Sequence, residues 1–507
     1  MMCAAITRPE EPKVSIFYHS TRSDKHLVTS KQAIVQGIAK DGGLFVTDSL
    51  DQCQVDLVSV CSHDYLTNAR IVLGKLLPDF EPAEIDGCVS RAYSTFDTPA
   101  ICPVTRLGSN WLLELSHGPT CAFKDVALQM LPQLMGVARK TEADGDGIMI
   151  VTATSGDTGK AALAGFADAP GCGITVFYPA DGVSEVQRLQ MVTQAGANVE
   201  VKGVRGNFDD VQTRVKEIFG DKSMAERVAS ANARLSSANS INVGRLVPQV
   251  VYYFDAYAQL ASRGAIKIGD AVDFCVPTGN FGDVLAGYYA KRMGLPVDKL
   301  IVASNKNDVL YDFITTGTYR RTRPFYRTIS PSMDILVSSN LERLLYLLSD
   351  GDCELVAALM DDLAREGSYT VPDRLLARIQ DSFACGRADE DQTREAIASA
   401  WNDKGVLLDT HTAVAAYVSD QVPCESAARV VLSTASPFKF PADVLAAIGG
   451  PTGVGDFEAM TLLSERCGIS APNQLSSLAT APVLHEGICD IADMGDVVAA
   501  ACDRVFK

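Results

Sequence analysis

The sequence predicts an α/β protein, with mainly parallel twisted sheets flanked by helices and an α-rich N-terminal domain in front. Three observations lead there. Between about residues 100 and 310, strand-like and helix-like runs alternate, the pattern of βαβ units around a parallel sheet. Two glycine-rich turns, at 154–159 and 278–283, each lie between a strand-like and a helix-like run. Ahead of them, Tyr65 to Leu77 and Glu84 to Thr95 carry apolar residues at helical spacing.

In chain order, Val14 to Tyr18 is strand-like, and Thr29 to Ile38 is a helix that opens on Thr and Ser capping choices. Asp41-Gly42-Gly43 turns the chain before Leu44-Phe45-Val46. Trp111 to Leu115 is extended and leads into Ser116 to Asp125. Gly147 to Ala153, Ile174 to Tyr178 and Val199 to Val204 read as buried strands, with helices at Lys160 to Ala167 and Ser184 to Ala195 between them. Val272 to Val276 is strand-like, and Val284 to Met293 is helix-like. Residues 310–400 read as irregular and then helical, at Asn340 to Leu348 and Glu354 to Arg365. Arg429 to Leu432 is a late strand, and 449–453 is a turn. These runs divide the chain into an N-terminal domain (1–100), a catalytic region of two α/β subdomains with the site between them (101–445), and a C-terminal segment packing on it (446–507).

The balance of charge excludes some functions. A net charge of -17 argues against binding nucleic acid, whose phosphates need Lys and Arg. A local basic site for a small anion is still allowed. No run of about 18 apolar residues is present, so no membrane partner is expected. The N-terminus lacks a secretory pattern and is too short and proline-rich for a transit peptide, which points to the cytoplasm. The 14 cysteines include no Cys-x-x-Cys pair and read as free thiols in a reducing compartment. The 6 histidines show no metal-ligand spacing, so no metal is expected. The acidic surface and the lack of an added regulatory segment suit a monomer or homodimer.

Lys124 is the sharpest candidate for chemistry. Ala122, Phe123, Val126, Ala127 and Leu128 surround it in sequence and would bury the amine, disfavouring its charged form. A desolvated lysine is the nucleophile that a Schiff base needs; the plainer alternative is a surface lysine at a helix start. In Gly279-Asn280-Phe281-Gly282-Asp283, two glycines allow close backbone approach, so that several N–H groups can meet a phosphate. The helix beginning near Asp283 adds its positive end. An ordinary strand-to-helix turn is the alternative, and the loop matches neither the Walker nor the Gly-x-Gly-x-x-Gly pattern. Lysine and phosphate loop together are the minimal kit for pyridoxal 5'-phosphate. The hydroxyls of Thr154, Ser155 and Thr158 and the loop N–H groups suit a carboxylate, while Asp157 would repel one and is expected to face another donor. Ser240, Asn242 and Arg245 stand at a polar helix start that suits an anion, or that is merely capped by Asn239 or Ser240. Thr434 ends a strand where a hydroxyl could reach a ring nitrogen, although alone it would be unremarkable.

Taken together, these stretches resemble the threonine synthase family, fold type II pyridoxal-phosphate enzymes related to the tryptophan synthase β chain. The matching pieces are His117 to Thr120 with Phe123-Lys124-Asp125, Thr152 to Gly159, Asn239 to Asn242, Gly279 to Asp283 and Asp409 to Val414. Tyr18, Ser20-Thr21-Arg22 and Asp41 to Phe45 agree as well, and the similarity extends to about residue 445. The resemblance implies conversion of O-phospho-L-homoserine and water to L-threonine and phosphate. It implies that Lys124 holds the cofactor as a Schiff base and shuttles protons, that Gly279, Asn280, Phe281, Gly282 and Asp283 bind its phosphate, that Asp157 lies near its 3-oxygen, and that Thr434 meets its ring nitrogen. Thr154, Ser155 and Thr158 would surround the substrate carboxylate or phosphate, with Ser240, Asn242 and Arg245 at the substrate's phosphate end. Many relatives read Thr-Ala-His-Pro-Ala-Lys-Phe where this chain has Ser436 and Phe438 in place of His and Ala. The same motifs would serve a threonine-synthase-like phospho-lyase that releases 2-oxobutyrate and phosphate. A non-catalytic ligand-sensing relative predicts loss of Lys124 or the glycine loop, and both are present.

Overall fold

Two parallel sheets carry the molecule, as seen in a computed structural model that describes residues 16–507 apart from 143–144, 155 and 181–182. The larger has six strands in the order Phe383–Arg387, Val297–Ser304, Val272–Pro277, Ala428–Ser433, Asn110–Glu114 and Val104–Leu107. All its neighbours are parallel except the last pair. The second sheet is wholly parallel, in the order Ile488–Asp490, Val199–Arg205, Cys172–Pro179, Gly147–Ala153 and Ala233–Ser236. Strands covered on both faces are mostly apolar rather than alternating, and Gly147–Ala153 and Val272–Pro277 are buried at every position, Thr152 and Asp273 included.

Two long helices occupy the interior. Lys124–Glu142 begins at the candidate lysine itself, and Val243–Ser262 is buried on nearly every side, including Tyr252, Tyr253 and Tyr257. Asn242 caps the second by accepting from the Gly244 N–H at 2.9 Å, so the cap falls on neither Asn239 nor Ser240. The N-terminal part folds as expected around Ser30–Gln36, whose capping box is closed by Thr29 and Gln32, and around Tyr65–Leu76 and Pro82–Ala92. Its small antiparallel sheet differs from expectation: the strand is Tyr18–Ser20 rather than Val14 to Tyr18, and residues 14 and 15 lie outside the described residues.

Several strands escaped the sequence reading, among them Val104–Leu107, Ala233–Ser236, Val297–Ser304 and two at sheet edges. Phe383–Arg387 (Phe-Ala-Cys-Gly-Arg) has weak strand propensity, and its parallel pairing with Val297–Ser304 is supplied by tertiary context. Ile488–Asp490 extends the edge of the second sheet, and the helix Met494–Phe506 lies against that sheet over a separate small core with Val211, Val215 and Met224.

The helices Lys124–Glu142 and Asp157–Phe166 touch backbone to backbone: a Cβ at Gly165 would overlap the Leu128 carbonyl oxygen. Gly165→Ala must therefore push the two helices apart, and an overpacking loss of about 1–3 kcal/mol is expected in denaturant unfolding. An unchanged denaturation midpoint would contradict this close approach.

Candidate active site

The carboxyl ends of three adjacent strands of the larger sheet meet the loop that leaves one strand of the second sheet. Such strand ends are where ligands bind in open α/β sheets. Past Asn110–Glu114, Leu115 N–H donates to the Ser433 carbonyl at 2.9 Å, continuing the parallel ladder, and the returning chain then bridges antiparallel at Ala122 and Ala435, with Phe123 N–H donating to Thr434 at 2.8 Å and Ser436 N–H to Cys121 at 3.0 Å. This clamp sets Lys124 and Thr434 side by side at the floor of the site. After Val272–Pro277 comes the glycine loop, and after Gly147–Ala153 comes the loop that ends in Asp157.

Lys124 is buried, 8% exposed, and its Nζ lies 3.5 Å from Asp157 Oδ2 and 3.4 Å from the Ser332 hydroxyl. Ser332 in turn donates to Asp157 Oδ2 at 3.2 Å. The other carboxylate oxygen of Asp157 is 2.8 Å from Nζ of Lys439, a fully buried lysine. Burial holds the Lys124 amine below the ordinary lysine range; Asp157 opposes that effect, while the like charges of Lys439 and Arg245 add to it. For Asp157, burial works against ionisation, yet Lys439 and then Lys124 overcome it, and the carboxyl lies well below its usual range. So Asp157 does face a donor, as its position in the loop suggested.

The glycine loop is shaped to receive an anion. Among the described residues, the backbone N–H groups of Gly279, Asn280, Phe281, Gly282 and Asp283 donate to no carbonyl. Phe281 takes φ +63 at the N-cap of Gly282–Arg292, which turns these groups toward one side. Gly279 is needed because a Cβ there would come within 3.0 Å of the Ser332 carbonyl oxygen and 3.3 Å of Met333 Cα. The Asp283 carboxyl does not line this cradle through its accepted oxygen: Oδ1 takes hydrogen bonds from Tyr252 and Tyr253, the latter at 3.0 Å. Burial pushes Asp283 up to about 6, since hydroxyls stabilise the charge less than cations would.

Arg245 is 5% exposed, and no carboxylate pairs with it among the described residues. Its Nη1 donates to the Ala238 carbonyl at 3.2 Å, and its Nε has no partner. Burial pushes it down to about 10. A buried guanidinium with an unused donor is a ready partner for an anion. A buried amine beside a carboxylate, an N–H cradle and this unpaired guanidinium together fit pyridoxal 5'-phosphate and a phosphorylated substrate.

The pyridoxal-phosphate dependent enzyme family matches residues 105–433, and the threonine synthase N-terminus family matches residues 17–93. Threonine synthase of Pseudomonas aeruginosa is 37% identical over 474 residues, 91% of this chain and 97% of its own. The chain belongs to the threonine synthase family of pyridoxal-phosphate-dependent enzymes. Threonine synthase-like 1 of Macaca fascicularis is 40% identical over 430 residues, 82% of this chain, and the chain spans 58% of the length of that relative. Among solved structures, pyridoxal-phosphate-bound threonine synthase from Brucella melitensis superposes with a TM-score of 0.85 at 36% identity, covering 96% of this chain and 100% of that one. Threonine synthase from yeast gives 0.86 at 33%, covering 97% and 99%. The fold is thus the type II fold of pyridoxal-phosphate enzymes, with the N-terminal unit that this family carries, and the cofactor is pyridoxal 5'-phosphate.

Within this threonine synthase fold the remaining sequence candidates take different positions. Thr158 is half-buried in the first turn of Asp157–Phe166, and Ser155 lies outside the described residues. Ser240 meets the Ser339 hydroxyl at 3.0 Å, at the entrance to the glycine loop. Thr154 and Asn242 were expected at the substrate, and the structure gives both another task. The Thr154 hydroxyl accepts from Gly156 and Gly159 N–H, each at 3.0 Å, and donates to the Gly156 carbonyl, so it is spent on closing its own loop. Asn242 is fully buried, its amide donating to the Ile34 and Ser237 carbonyls while its oxygen caps a helix.

Four positions were missed. Lys439 and Ser332 sit against Asp157, and Asn340 ties Asn280 to Ser240 through their carbonyls at 3.2 and 3.1 Å. Arg343, fully buried, reaches the Phe45 and Ile241 carbonyls at 2.8 and 2.6 Å and also the Asn340 side chain. Lys439 alone had a local signal, a second lysine in an apolar run after a strand. The others act on partners too distant in sequence to read.

The raised position of Asp283 carries a sign. Holding its carboxylate costs nothing below about 4, where it is protonated folded and unfolded; the cost appears between there and about 6, and is complete above. Asp283→Asn keeps an oxygen for both tyrosines, so the cofactor-free variant should be more stable than the parent by about 1–3 kcal/mol at pH 8, with the difference fading toward acid. Denaturant titrations at both pH values check this; a constant difference would rule out the ionisation as its source.

Proposed function

We propose that the protein is a threonine synthase, which converts O-phospho-L-homoserine and water to L-threonine and inorganic phosphate with pyridoxal 5'-phosphate held on Lys124. The observation that carries the reading is a buried cation set in a chain of net charge -17: Lys124 and Lys439 on the Asp157 carboxylate, with the unpaired Arg245 bearing on Lys124. Such an excess of buried positive charge suits two phosphates, one on the cofactor and one on the substrate. Relatives named threonine synthase, among them those of Pseudomonas aeruginosa and Saccharomyces cerevisiae (38% identical over 472 residues), support it.

When bound, the cofactor supplies an electron sink for the carbon skeleton of an amino acid. The chain's own residues do the rest. The N–H groups of Gly279 to Asp283 would hold the cofactor phosphate, Asp157 would lie on the side of its 3-oxygen, and the Thr434 hydroxyl would meet its nitrogen. Lys124 moves protons at the substrate Cα and Cβ, a task suited to an amine whose proton is loosely held. Arg245 and Ser240 take the substrate phosphate, which then leaves from Cγ, and Thr158 and Ser155 take its carboxylate. The segment 330–340 lies over the glycine loop through Ser338, which donates to the Gly279 carbonyl at 2.8 Å, and helps to exclude water until addition at Cβ. On a three-part division at about residues 100 and 445, this machinery belongs to the middle part. We assign the protein to the cytoplasm as a monomer or homodimer acting on a small molecule alone. The free thiols among the described cysteines and the absence, among described residues, of a helix able to cross a membrane support that assignment.

Product analysis tests the reading. Purified protein with O-phosphohomoserine should release threonine and phosphate in step, and Lys124→Ala should release neither. Phosphate with 2-oxobutyrate and no threonine would instead assign a phospho-lyase on the same site. Arg245→Gln should raise the KM for O-phosphohomoserine by about 10- to 100-fold, the worth of one charge-assisted bond, with the cofactor still bound. An unchanged KM would remove Arg245 from the substrate site.

A further inference from the structure

Two buried lysines share one buried carboxylate, and they are held very differently. Lys439 is 1% exposed, lies in the turn Pro437–Lys439, and sets its Nζ 2.8 Å from Asp157 Oδ1 while donating to the Thr120 carbonyl at 2.9 Å. Both contacts are fixed from behind. Ser436 caps the turn by accepting from Phe438 N–H at 3.3 Å. Thr120 is locked by Asp125, which accepts from its N–H at 2.8 Å and its hydroxyl at 2.6 Å. Lys124 has only the longer contacts, 3.5 Å to Asp157 and 3.4 Å to Ser332.

We propose that Lys439 is a positioning residue for cofactor loading: its ammonium keeps the Asp157 carboxylate charged and in place, so that Lys124 is the amine free to react with the aldehyde. The inference rests on Lys124 as the cofactor lysine and on nothing about the substrate.

The chemistry explains why a second cation is needed. Condensation requires the lone pair of Lys124, so its ammonium must first give up a proton. The amine then forms a carbon–nitrogen double bond with the aldehyde carbon, and the aldehyde oxygen leaves as water with the two amine hydrogens. At the first step Asp157 loses the charge of one of its two cationic partners. Without Lys439, the buried carboxylate, with His411 as its other partner in charge, would hold the proton on Lys124 as its remaining close cation. With Lys439 in place the carboxylate stays charged, and the positive charge of Lys439 also disfavours the ammonium form of Lys124. The other groups bearing on Lys124 are Arg245, a like charge, the Ser332 hydroxyl, and the Asp283 carboxyl beyond direct contact.

The test is the rate at which pyridoxal 5'-phosphate binds covalently to cofactor-stripped protein, followed by its lysine-bound absorbance from neutral to alkaline pH. In Lys439→Gln and Lys439→Met the rate at neutral pH should fall about tenfold and its pH midpoint should rise by about one unit, the size of one neighbouring charge. Lys439→Arg, which keeps the charge, should retain the parent midpoint. A merely structural lysine would lower stability without moving the midpoint, so an unmoved midpoint in the neutral variants, or an equal shift in the Arg variant, overturns the proposal. Borohydride reduction of the parent holoenzyme with peptide mapping requires no variant: label on Lys124 alone is expected, and label on Lys439 overturns the proposal. Neither measurement uses O-phosphohomoserine, so a failure with that substrate would count against the proposed function and leave this inference standing.

Discussion

Burying Asp157 would cost several kcal/mol if the carboxylate stood alone, and the fold offsets that cost with lysines drawn from two other parts of the chain. Lys124 comes from the loop after one strand of the larger sheet and Lys439 from the turn after its neighbour, while Asp157 opens a helix of the second sheet. The ion cluster therefore joins the two sheets at the point where their loops meet. The pairing of 115–123 with 433–436 holds the two lysines at a set distance, and the contact of Gly165 with Leu128 brings the Asp157 helix close enough to reach them. Remove the carboxylate and the site becomes an assembly of like charges.

That excess of positive charge is local, and it explains how an acidic protein can hold anions. Arg245 is left with a carbonyl and a free Nε, and Asp283 is pushed up toward neutrality by burial, answered by two tyrosine hydroxyls and more weakly by Lys124. Carboxylates elsewhere in the chain give the net charge without entering the site.

The segment 326–340 shows how an irregular stretch can be as definite as a helix. Asp334 accepts from Asn305 at 2.8 Å, Asn307 at 2.9 Å and the Thr328 hydroxyl at 2.7 Å, which pins the segment to the end of Val297–Ser304. Ser332 is then presented to Asp157 from one side, while its N–H donates to His411 Nε2 at 3.1 Å from the other. That bond leaves the His411 Nδ1–H for Asp409, at 3.1 Å, so the ring is fixed in one tautomer by its two partners. Asp409, which also caps its helix, thus supports the site through two intermediaries.

Local physics explains what could be read in advance. The apolar run Gly147–Ala153 suits a strand covered on both faces, Thr29 and Gln32 close a capping box within four residues, and the apolar neighbours of Lys124, Phe123 and Val126-Ala127-Leu128, favour its burial at a helix start. The same reading failed where a side chain's partner lies far along the chain: Arg343 and Phe45 are 298 positions apart, Lys439 and Thr120 are 319, and the strand Phe383–Arg387 owes its form to a neighbour rather than to its own residues. Nor does a sequence show which use a polar residue takes when it has two, as with Thr154 and Asn242, whose side chains hydrogen-bond to the backbone. Most helices and the apolar strands, the candidate lysine Lys124 and the glycine loop 279–283 could be picked out from the chain alone, because periodicity, capping and glycine act over a few residues. Only the tertiary structure decided which carboxylate two lysines share and which arginine is left unpaired, because charges separated by hundreds of residues meet only when the sheets close on one another.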